Sequence, residues 1–173
     1  MFALVALYAL AAEPADWEKQ EAVCLKNIRQ VTKDFVRAGE GYFSPDGKTI
    51  IFQAEEKETG NPFYQIFTMN LATGETHRVS PGVGKTTCSY FRPDGKKIIF
   101  ASSHSDPTKR PNYDLYWMDI ETGKKVRLTY APGQDILPVF SPDYKKVMWT
   151  STREGKPGQP AQLYIADFTP PKE

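Results

Sequence analysis

Three aspartates recur inside the same short motif, which reads FSPDGK from Phe43, FRPDGK from Phe91 and FSPDYK from Phe140. Three matched carboxylates look like a set for acid–base chemistry. Turn chemistry explains them instead, because Pro presets φ, Asp bonds to the nearby backbone and Gly closes a tight reversal. We therefore interpret these residues as structural turns: Pro45, Asp46, Gly47, Pro93, Asp94, Gly95, Pro142 and Asp143.

Two other segments resemble catalytic motifs only in part. Residues 84–86 (GKT) resemble the end of a phosphate-binding loop, but Val79 stands where its first glycine belongs and a strand pattern follows. Residues 104–106 (HSD) contain the residue types of a catalytic triad, yet adjacent residues cannot form one by themselves. The sequence also lacks a Gly-x-Ser-x-Gly elbow. We therefore predict that the protein is not an enzyme.

Metal and cofactor chemistry finds little support in the residue types. The chain has two histidines, which excludes a histidine-rich metal site within one subunit. Cys24 and Cys88 each stand alone and match no zinc or redox motif, so they either pair with each other or remain thiols. We predict no metal and no cofactor.

The turns belong to a longer repeat. Their first residues lie 48 and 49 positions apart, and a second landmark, residues 70–74 (NLATG), returns after 49 positions as residues 119–123 (DIETG). A period of this length is typical of a four-stranded propeller blade.

Each turn is followed by two short, nearly continuous apolar runs. The predicted second strands cover residues 49–54, 97–102 and 146–151, and the predicted third strands cover residues 64–70, 113–119 and 161–167. Strands that are covered on both faces have this composition. The pattern predicts that Trp117, Trp149 and Tyr164 belong to the core.

The predicted outer, fourth strands are shifted by one unit along the sequence relative to the three inner strands of each unit. Residues 76–80 (THRVS) and 125–129 (KVRLT) are predicted fourth strands, whereas the third unit has none. Residues 27–32 (NIRQVT) carry the same pattern ahead of the first unit. The offset would let the first strand of a chain complete the last blade of a ring.

Together, the Phe-Ser-Pro-Asp-Gly-Lys turn, the apolar strand, the Leu-Tyr-Trp-Met-Asp-Ile-Glu-Thr-Gly run and Val-Arg-Leu-Thr resemble the TolB-type repeat. Similar repeats occur in the propellers of tricorn protease and of prolyl-peptidase relatives. The resemblance covers residues 27–167 and implies an all-β propeller of four-stranded blades, three per chain. Two departures are Tyr144, in place of the turn glycine, and Arg92, in place of the usual serine.

Three blades are hard to close into a ring, and a monomer would leave two blade faces bare. Two chains joined head to tail would form six blades, the number that the resemblance suggests. In this predicted homodimer, residues 27–32 of one chain would add to the last blade of the other. The alternative is a fragment or an internally deleted form of a longer propeller.

Strand direction sorts the loops onto two faces, and the variable loops share the face that carries the entries to the inner strands. Binding usually occurs on variable loops of a rigid scaffold, so we predict a site at this mouth of the channel. The candidates are Arg37, Glu40, Lys85, Thr86, Thr87, His104, Arg110, Gln134 and Asp135.

The ends of the chain and its charge set the remaining expectations. Residues 1–12 are predicted to be a signal peptide, 13–26 an extension with one short helix, 27–168 the propeller unit and 169–173 a tail. The apolar run is too short to span a bilayer. A formal net charge of +1 gives no indication of nucleic-acid binding.

The leading functional hypothesis is an exported, periplasmic, non-enzymatic propeller that binds a protein or peptide partner at the channel mouth. Its basis is the resemblance to TolB, a periplasmic protein-interaction module. The alternative is a glycan or small-molecule hydrolase or lyase that uses Glu40 and Asp135 as acid and base. A purely structural propeller within a larger assembly would leave the same sequence traces as the first.

Overall fold

The computed structural model describes residues 16–106, 112–153 and 160–171. The chain separates into two units, residues 1–31 and 32–173. The first contains the short helix α1 (Asp16–Glu21), inside the predicted extension. The predicted signal peptide, residues 1–12, lies outside the described residues. Among the residues described, no helix has the length and apolar character needed to cross a membrane.

The second unit is a stack of antiparallel sheets whose strands lie where the repeat predicts them. Blade 1 has the order β1-β2-β3-β4, blade 2 the order β5-β6-β7-β8 and blade 3 the order β9-β10-β11. The bounds are β1 Phe35–Phe43, β2 Thr49–Glu56, β3 Gln65–Asn70, β4 Thr76–Arg78, β5 Thr86–Phe91, β6 Lys97–Ser102, β7 Asp114–Asp119, β8 Lys125–Arg127, β9 Asp135–Phe140, β10 Lys146–Ser151 and β11 Gln162–Asp167.

Blade 3 has three strands in the part of the chain that the structure describes, as the sequence predicts. The expected strand over residues 27–32 does not form, and these residues adopt irregular, mostly exposed backbone. A strand needs a neighbouring strand to receive its backbone hydrogen bonds, and this segment pairs with none. Because the predicted partner of this strand is the last blade of a second chain, the strand stays a prediction for the dimer.

Two apolar clusters join the blades. The first joins blades 1 and 2 and includes Ile51, Phe91 and Phe100, and the second joins blades 2 and 3 and includes Trp117 and Trp149. Strand β6, in the middle blade, is buried at every position. Trp117 and Trp149 are thus core residues, as predicted. Trp117 belongs to the middle blade, which has a blade on each side, and Trp149 belongs to blade 3, which has a blade on one side.

The two end faces of the stack differ in exposure. On blade 3, Leu163 is 70% exposed and Ile165 is 65% exposed. Blade 1 carries a third apolar cluster in which Phe52 and Phe67 are buried, with the ring of Phe35 packed edge-on against both. The expectation of two bare blade faces is therefore wrong for blade 1 and right for blade 3.

The repeated turns have the expected chemistry. Oδ1 of Asp46 accepts hydrogen bonds from the Ser44 hydroxyl (2.7 Å) and from the Lys48 amide (3.1 Å). Oδ1 of Asp143 accepts from the Ser141 hydroxyl (2.6 Å) and from the Lys145 amide (3.1 Å). These bonds hold the pKa of both carboxyls below the usual range. The aspartates therefore stabilise the turns in which they lie.

The third turn keeps its geometry although it lacks glycine. Tyr144 has φ 62°, close to the 69° of Gly47 and the 72° of Gly95. Its ring packs against Phe140 and Phe168, with centroids 4.9 and 5.3 Å away, and lies under the Arg92 guanidinium at 4.3 Å. Both departures from the repeat therefore belong to one contact between blades 2 and 3.

Replacing Tyr144 with glycine should lower the free energy of unfolding by about 1–2 kcal/mol. Relief of the left-handed backbone gains about 1 kcal/mol, whereas truncation of a half-buried aromatic ring costs about 2–3 kcal/mol. Urea unfolding measures the difference. The control is Gly47→Ala, where an added Cβ would touch nothing within 4 Å and only the backbone cost remains. A Tyr144→Gly protein as stable as wild type would contradict the packing role.

Candidate functional site

Each innermost strand carries a bulge at the same position of the repeat. The register shifts between Gly39 and Tyr42 in β1, between Thr87 and Tyr90 in β5, and opposite Met148–Thr150 in β9. The bulged residues are Glu40 (φ 50°), Cys88 (φ 56°) and Leu137 (φ 56°). Left-handed backbone is costly for such residues and re-aims their side chains. All three then line one small cavity.

This inner-strand cavity has a volume of about 40 Å³, enough for one water molecule. The sulfur of Cys88 lies 3.2 Å from the Thr87 hydroxyl, within hydrogen-bonding distance, and the Glu40 carboxyl lines the same cavity. Oγ of Ser89 is buried and has no hydrogen-bond partner among the described residues. The lining residues are Glu40, Tyr42, Cys88, Ser89, Tyr90, Leu137, Pro138 and Val139.

Burial controls the ionisation of this cavity. It raises the pKa of Glu40, partly offset by the hydrogen bond from Cys88. It raises the pKa of Cys88 to about 11, and the nearby Glu40 charge adds to that rise. The Cys88 thiol is thus protonated at neutral pH and a poor nucleophile. Cys24 and Cys88 are both free, so the question of a disulfide is answered in favour of thiols.

Cys88 should make the protein less stable in alkali. Its pKa is about 11 in the fold against an ordinary 9.0, so between these values the unfolded chain loses a proton that the native state keeps. Stability therefore falls as pH rises from 9 to 11, by about 2–3 kcal/mol from this group.

Chemical unfolding at both pH values, under reducing conditions, measures this loss. Tyrosines and lysines titrate in the same range, so the informative quantity is the difference between wild type and Cys88→Ala. The variant should lose about 2–3 kcal/mol less stability than wild type across this interval. Cys24→Ala, which removes the exposed thiol, is the control. Equal losses in wild type and Cys88→Ala would contradict the prediction.

A second cavity, the mouth cavity, lies where the inner strands begin and has a volume of about 150 Å³. Arg37 comes from the start of β1, and Thr86 and Thr87 open β5. Aromatic side chains immediately before β3 and β7 complete the wall. The lining residues are Arg37, Phe63, Tyr64, Lys85, Thr86, Thr87 and Tyr113.

Both cations of the mouth cavity lie over aromatic rings. The Lys85 ammonium is 4.5 Å from the centre of the Phe63 ring. The Arg37 guanidinium is 4.5 Å from the centre of the Tyr64 ring, and its Nε donates to Glu55 Oε2 at 2.7 Å. Cation–π contacts of this kind stabilise the position of a cation that is partly shielded from water.

The structure gathers four of the predicted site residues in the mouth cavity: Arg37, Lys85, Thr86 and Thr87. Three of the four are already bonded through their side chains, Arg37 through its Nε to Glu55. The Thr86 hydroxyl, fully buried, bonds to the Ser102 hydroxyl at 3.0 Å. Oγ1 of Thr87 donates to Gln53 Oε1. The free polar groups of this cavity are therefore mainly its cations.

The other predicted residues lie elsewhere. Glu40 lines the inner-strand cavity. Asp135 is 2% exposed, and its carboxylate accepts hydrogen bonds from Trp149 Nε1 (3.0 Å) and from the Arg153 guanidinium (2.9 Å). Gln134 is half-buried beside it and lines neither cavity. Asp135 is thus tied into blade 3 and offers no free carboxylate.

The polar loop of blade 2 is described only in part. The His104 ring packs on Tyr116, with centroids 4.4 Å apart, and Nδ1 lies 2.9 Å from the Ser102 hydroxyl. Burial, with the nearby charges of Lys125 and Arg127, lowers the pKa of His104. This histidine is therefore neutral at physiological pH. Arg110 lies outside the described residues.

A third and larger cavity, about 440 Å³, opens among the repeated turns, at the opposite ends of the strands from the mouth cavity. Its walls include Asp46 and Asp94, and Asp94 forms a 2.7 Å ion pair with Arg92. Asp46 and Asp94 thus have partners within the turns, and Glu75, which also lines this cavity, lies 3.0 Å from His77 Nε2. We therefore place the candidate site at the mouth cavity.

Sequence reasoning missed the aromatic half of the mouth cavity and the polar inner-strand cavity. Phe63, Tyr64 and Tyr113 border strands and have the appearance of core residues. Cys88 matches no zinc or redox motif, so the sequence does not place it in a polar cavity. A signal did exist, because Glu40, Cys88 and Leu137 follow the 48- and 49-residue spacing of the turns.

Residues 64–170 match the family model described as the TolB beta propeller domain. None of the curated proteins matches the chain. Among solved structures, a chain assigned as TolB from Agrobacterium tumefaciens is 22% identical, with a TM-score of 0.65 over 79% of this chain and 47% of that one. TolB from Acinetobacter baumannii is 28% identical, with a TM-score of 0.63 over 76% and 30%. The chain thus spans less than half the length of either.

An oligogalacturonate lyase in complex with manganese is also similar, with 22% identity and a TM-score of 0.58 over 83% of this chain and 39% of that one. Within the ranges that the structure describes here, no group of three or more His, Cys, Asp and Glu side chains could hold a metal ion. At this identity the similarity to the lyase concerns the fold alone.

Proposed function

The chain belongs to the TolB beta propeller domain family, and from this premise we propose that it binds a protein or peptide partner through the mouth cavity, without catalysing a reaction. The observation that carries the proposal is the clustering of Arg37, Lys85, Phe63 and Tyr64 around one cavity at the ends of rigid strands. Charged and aromatic side chains on a fixed scaffold are typical of interaction sites.

The size of the mouth cavity supports a macromolecular partner. Pockets for small molecules usually enclose 300–1,000 Å³, whereas this cavity encloses about 150 Å³. Such a volume suits one anchoring side chain of a larger partner. The partner's remaining surface would lie on the surrounding loops.

The hydrolase or lyase alternative has one observation in its favour, the raised pKa of Glu40 beside the inner-strand cavity. A general acid needs such a shift. The second carboxylate of that mechanism, Asp135, is held by Arg153 and Trp149. This engagement favours the binding module. Cleavage of oligogalacturonides that is lost in Glu40→Gln would support the alternative.

The partner proposal is tested by affinity capture from a cell-envelope extract of the source organism. The bait is the full chain, and the test variant combines Arg37→Ser with Lys85→Ser. The control combines Lys48→Ser with Lys96→Ser, which removes two exposed cations from the turn end. A partner retained by wild type and control but lost by the mouth variant supports the proposal. Equal retention by all three baits, or by none, contradicts it.

The same proposal includes a six-bladed ring formed by two chains head to tail. Its support is the bare apolar face of blade 3, where Met148, Leu163 and Ile165 are exposed on one side of the sheet. The next blade would cover this face as blade 2 covers the face of blade 1. In this ring the cluster of Phe52 and Phe67 on blade 1 would pack against the partner's blade 3, and these contacts would replace its present ones.

Wild type should therefore behave as a dimer at micromolar concentration, and Ile165→Lys should behave as a monomer. Size-exclusion chromatography with light scattering measures both. Tyr130→Lys is the control, because Tyr130 is also 70% exposed but lies in the connection between β8 of blade 2 and β9 of blade 3, not in a strand of either end face. A wild-type monomer would refute the ring of two chains.

Export to the periplasm completes the proposal and rests on the apolar residues 1–12. Mass spectrometry of the protein secreted by a host cell would detect their removal. An intact N-terminus in the periplasmic fraction or retention in the cytoplasm would count against export.

A further inference from the structure

We propose that the mouth cavity recognises a carboxylate group, supplied by an acidic side chain of the peptide or protein that binds there. The inference rests on the proposed function and specifies its partner. The feature that carries it is Lys85, which lines the cavity and has no ion-pair partner in the described part of the chain.

The charged groups that remain available in the cavity are hydrogen-bond donors only, and the phenols of Tyr64 and Tyr113 add groups that can donate. The Lys85 ammonium offers three donors and no acceptor, and the Arg37 guanidinium keeps its terminal N–H groups after Nε has bonded to Glu55. Burial raises the pKa of Tyr113, so its phenol stays protonated and can donate. A wall of donors requires an acceptor from the ligand.

The charge balance points the same way. Glu55 is the carboxylate that neutralises Arg37, and its side chain is only 16% exposed. Lys85 therefore leaves about one uncompensated positive charge at the cavity. A ligand carboxylate would supply the missing charge and would accept charge-assisted hydrogen bonds, the stronger kind.

The aromatic rings fix where the carboxylate would bind. Phe63 lies on one side of the Lys85 ammonium and Tyr64 lies on one side of the Arg37 guanidinium. The Arg37 side chain is still 55% exposed and Lys85 lines the cavity, so a carboxylate would approach the cations from the sides that the rings leave uncovered. Phe63 itself is 38% exposed. We therefore expect an acidic residue next to an apolar residue in the bound segment.

Two random peptide libraries test the inference with the full chain as target. In the first library the peptides have blocked C-termini, so that carboxylates come only from Asp and Glu. In the second the C-terminus is free and the library lacks acidic residues. The variant is Lys85→Met, which keeps the length of the side chain without its charge. Lys124→Met, an exposed lysine in the β7–β8 turn, is the control.

We expect wild type and Lys124→Met to enrich acidic peptides from the first library, and Lys85→Met to lose that enrichment. Synthetic versions of the selected peptides with amides in place of the acids should bind wild type about tenfold more weakly or worse. The same replacement should change binding to Lys85→Met little.

Three results would overturn the inference. Mouth-binding peptides without acidic enrichment would refute it and leave the proposed function standing. Binders from the second library alone would assign the site to a C-terminal carboxylate instead of an acidic side chain. Absence of any binder that the Arg37→Ser, Lys85→Ser variant loses would refute the inference and the proposed function together.

Discussion

Asp135→Ala is expected to lower the free energy of unfolding by about 3 kcal/mol or more. Loss of one member of a buried ion pair leaves the other uncompensated, which typically costs 3–5 kcal/mol. Here the carboxylate is 2% exposed, and its removal frees both the Arg153 guanidinium and the buried Trp149 indole N–H. Because Arg153 is about one quarter exposed, we expect the lower part of that range.

The substitution separates a structural aspartate from a functional one. Asp135→Asn keeps an acceptor for Trp149 and removes the charge, so it should cost less than Asp135→Ala. The control is Gln134→Ala, the half-buried neighbour, with an expected change within about 0.5 kcal/mol. Urea unfolding measures all three proteins. If Asp135→Ala is as stable as wild type, the ion pair with Arg153 does not stabilise the fold. Asp135 would then again be a candidate for binding or catalysis.

The elements of this fold are predictable because each turn is specified locally. In the Ser-Pro-Asp-Gly-Lys turns the side chain of Asp46 bonds to atoms two residues away, so the sequence itself encodes the reversal. The 48- and 49-residue spacing then fixes the strands between the turns. Tyr144 shows that even a departure keeps the turn, since tertiary packing of its ring supports the left-handed backbone.

The candidate site is less predictable because it depends on contacts between distant segments. Glu40, Cys88 and Leu137 share a backbone conformation but not a residue type, so no motif reveals the bulges. The burial of Asp135 depends on Trp149 and Arg153, which follow it by 14 and 18 residues. The strand predicted over residues 27–32 does not form within one chain, because its predicted partner is the last blade of a second chain.

The position of the cations bears on the choice between binding and catalysis. Arg37 and Lys85 occupy equivalent positions in blades 1 and 2, because they lie 48 positions apart, the spacing of the turns in these blades. Gln134 holds that position in blade 3. Blades 1 and 2 thus each contribute a positive charge to the mouth, whereas blade 3 has an uncharged residue at the equivalent position. This asymmetry favours a docking surface on one side of the mouth over a reaction site at its centre.

Phe100→Ala is expected to cost about 3–5 kcal/mol, the usual effect of truncating a fully buried phenylalanine. Phe100 has no exposed surface and stacks on Tyr116, with ring centres 5.7 Å apart, in the cluster that joins blades 1 and 2. Tyr130→Ala is the control, because truncation of an aromatic ring that is 70% exposed in the β8–β9 connection leaves no buried cavity. Similar losses in the two variants would contradict the assignment of Phe100 to the core.

The same substitution tests how the blades support one another. In a stack of repeats each unit contacts only its neighbours, so damage to one interface should spread unevenly. Phe100→Ala should speed amide hydrogen exchange in β2 and β3 of blade 1 more than in β10 of blade 3. Trp117→Ala, in the cluster that joins blades 2 and 3, should reverse that order. Equal acceleration in both blades by both variants would mean that the three blades open as one unit, with β6 as their common core.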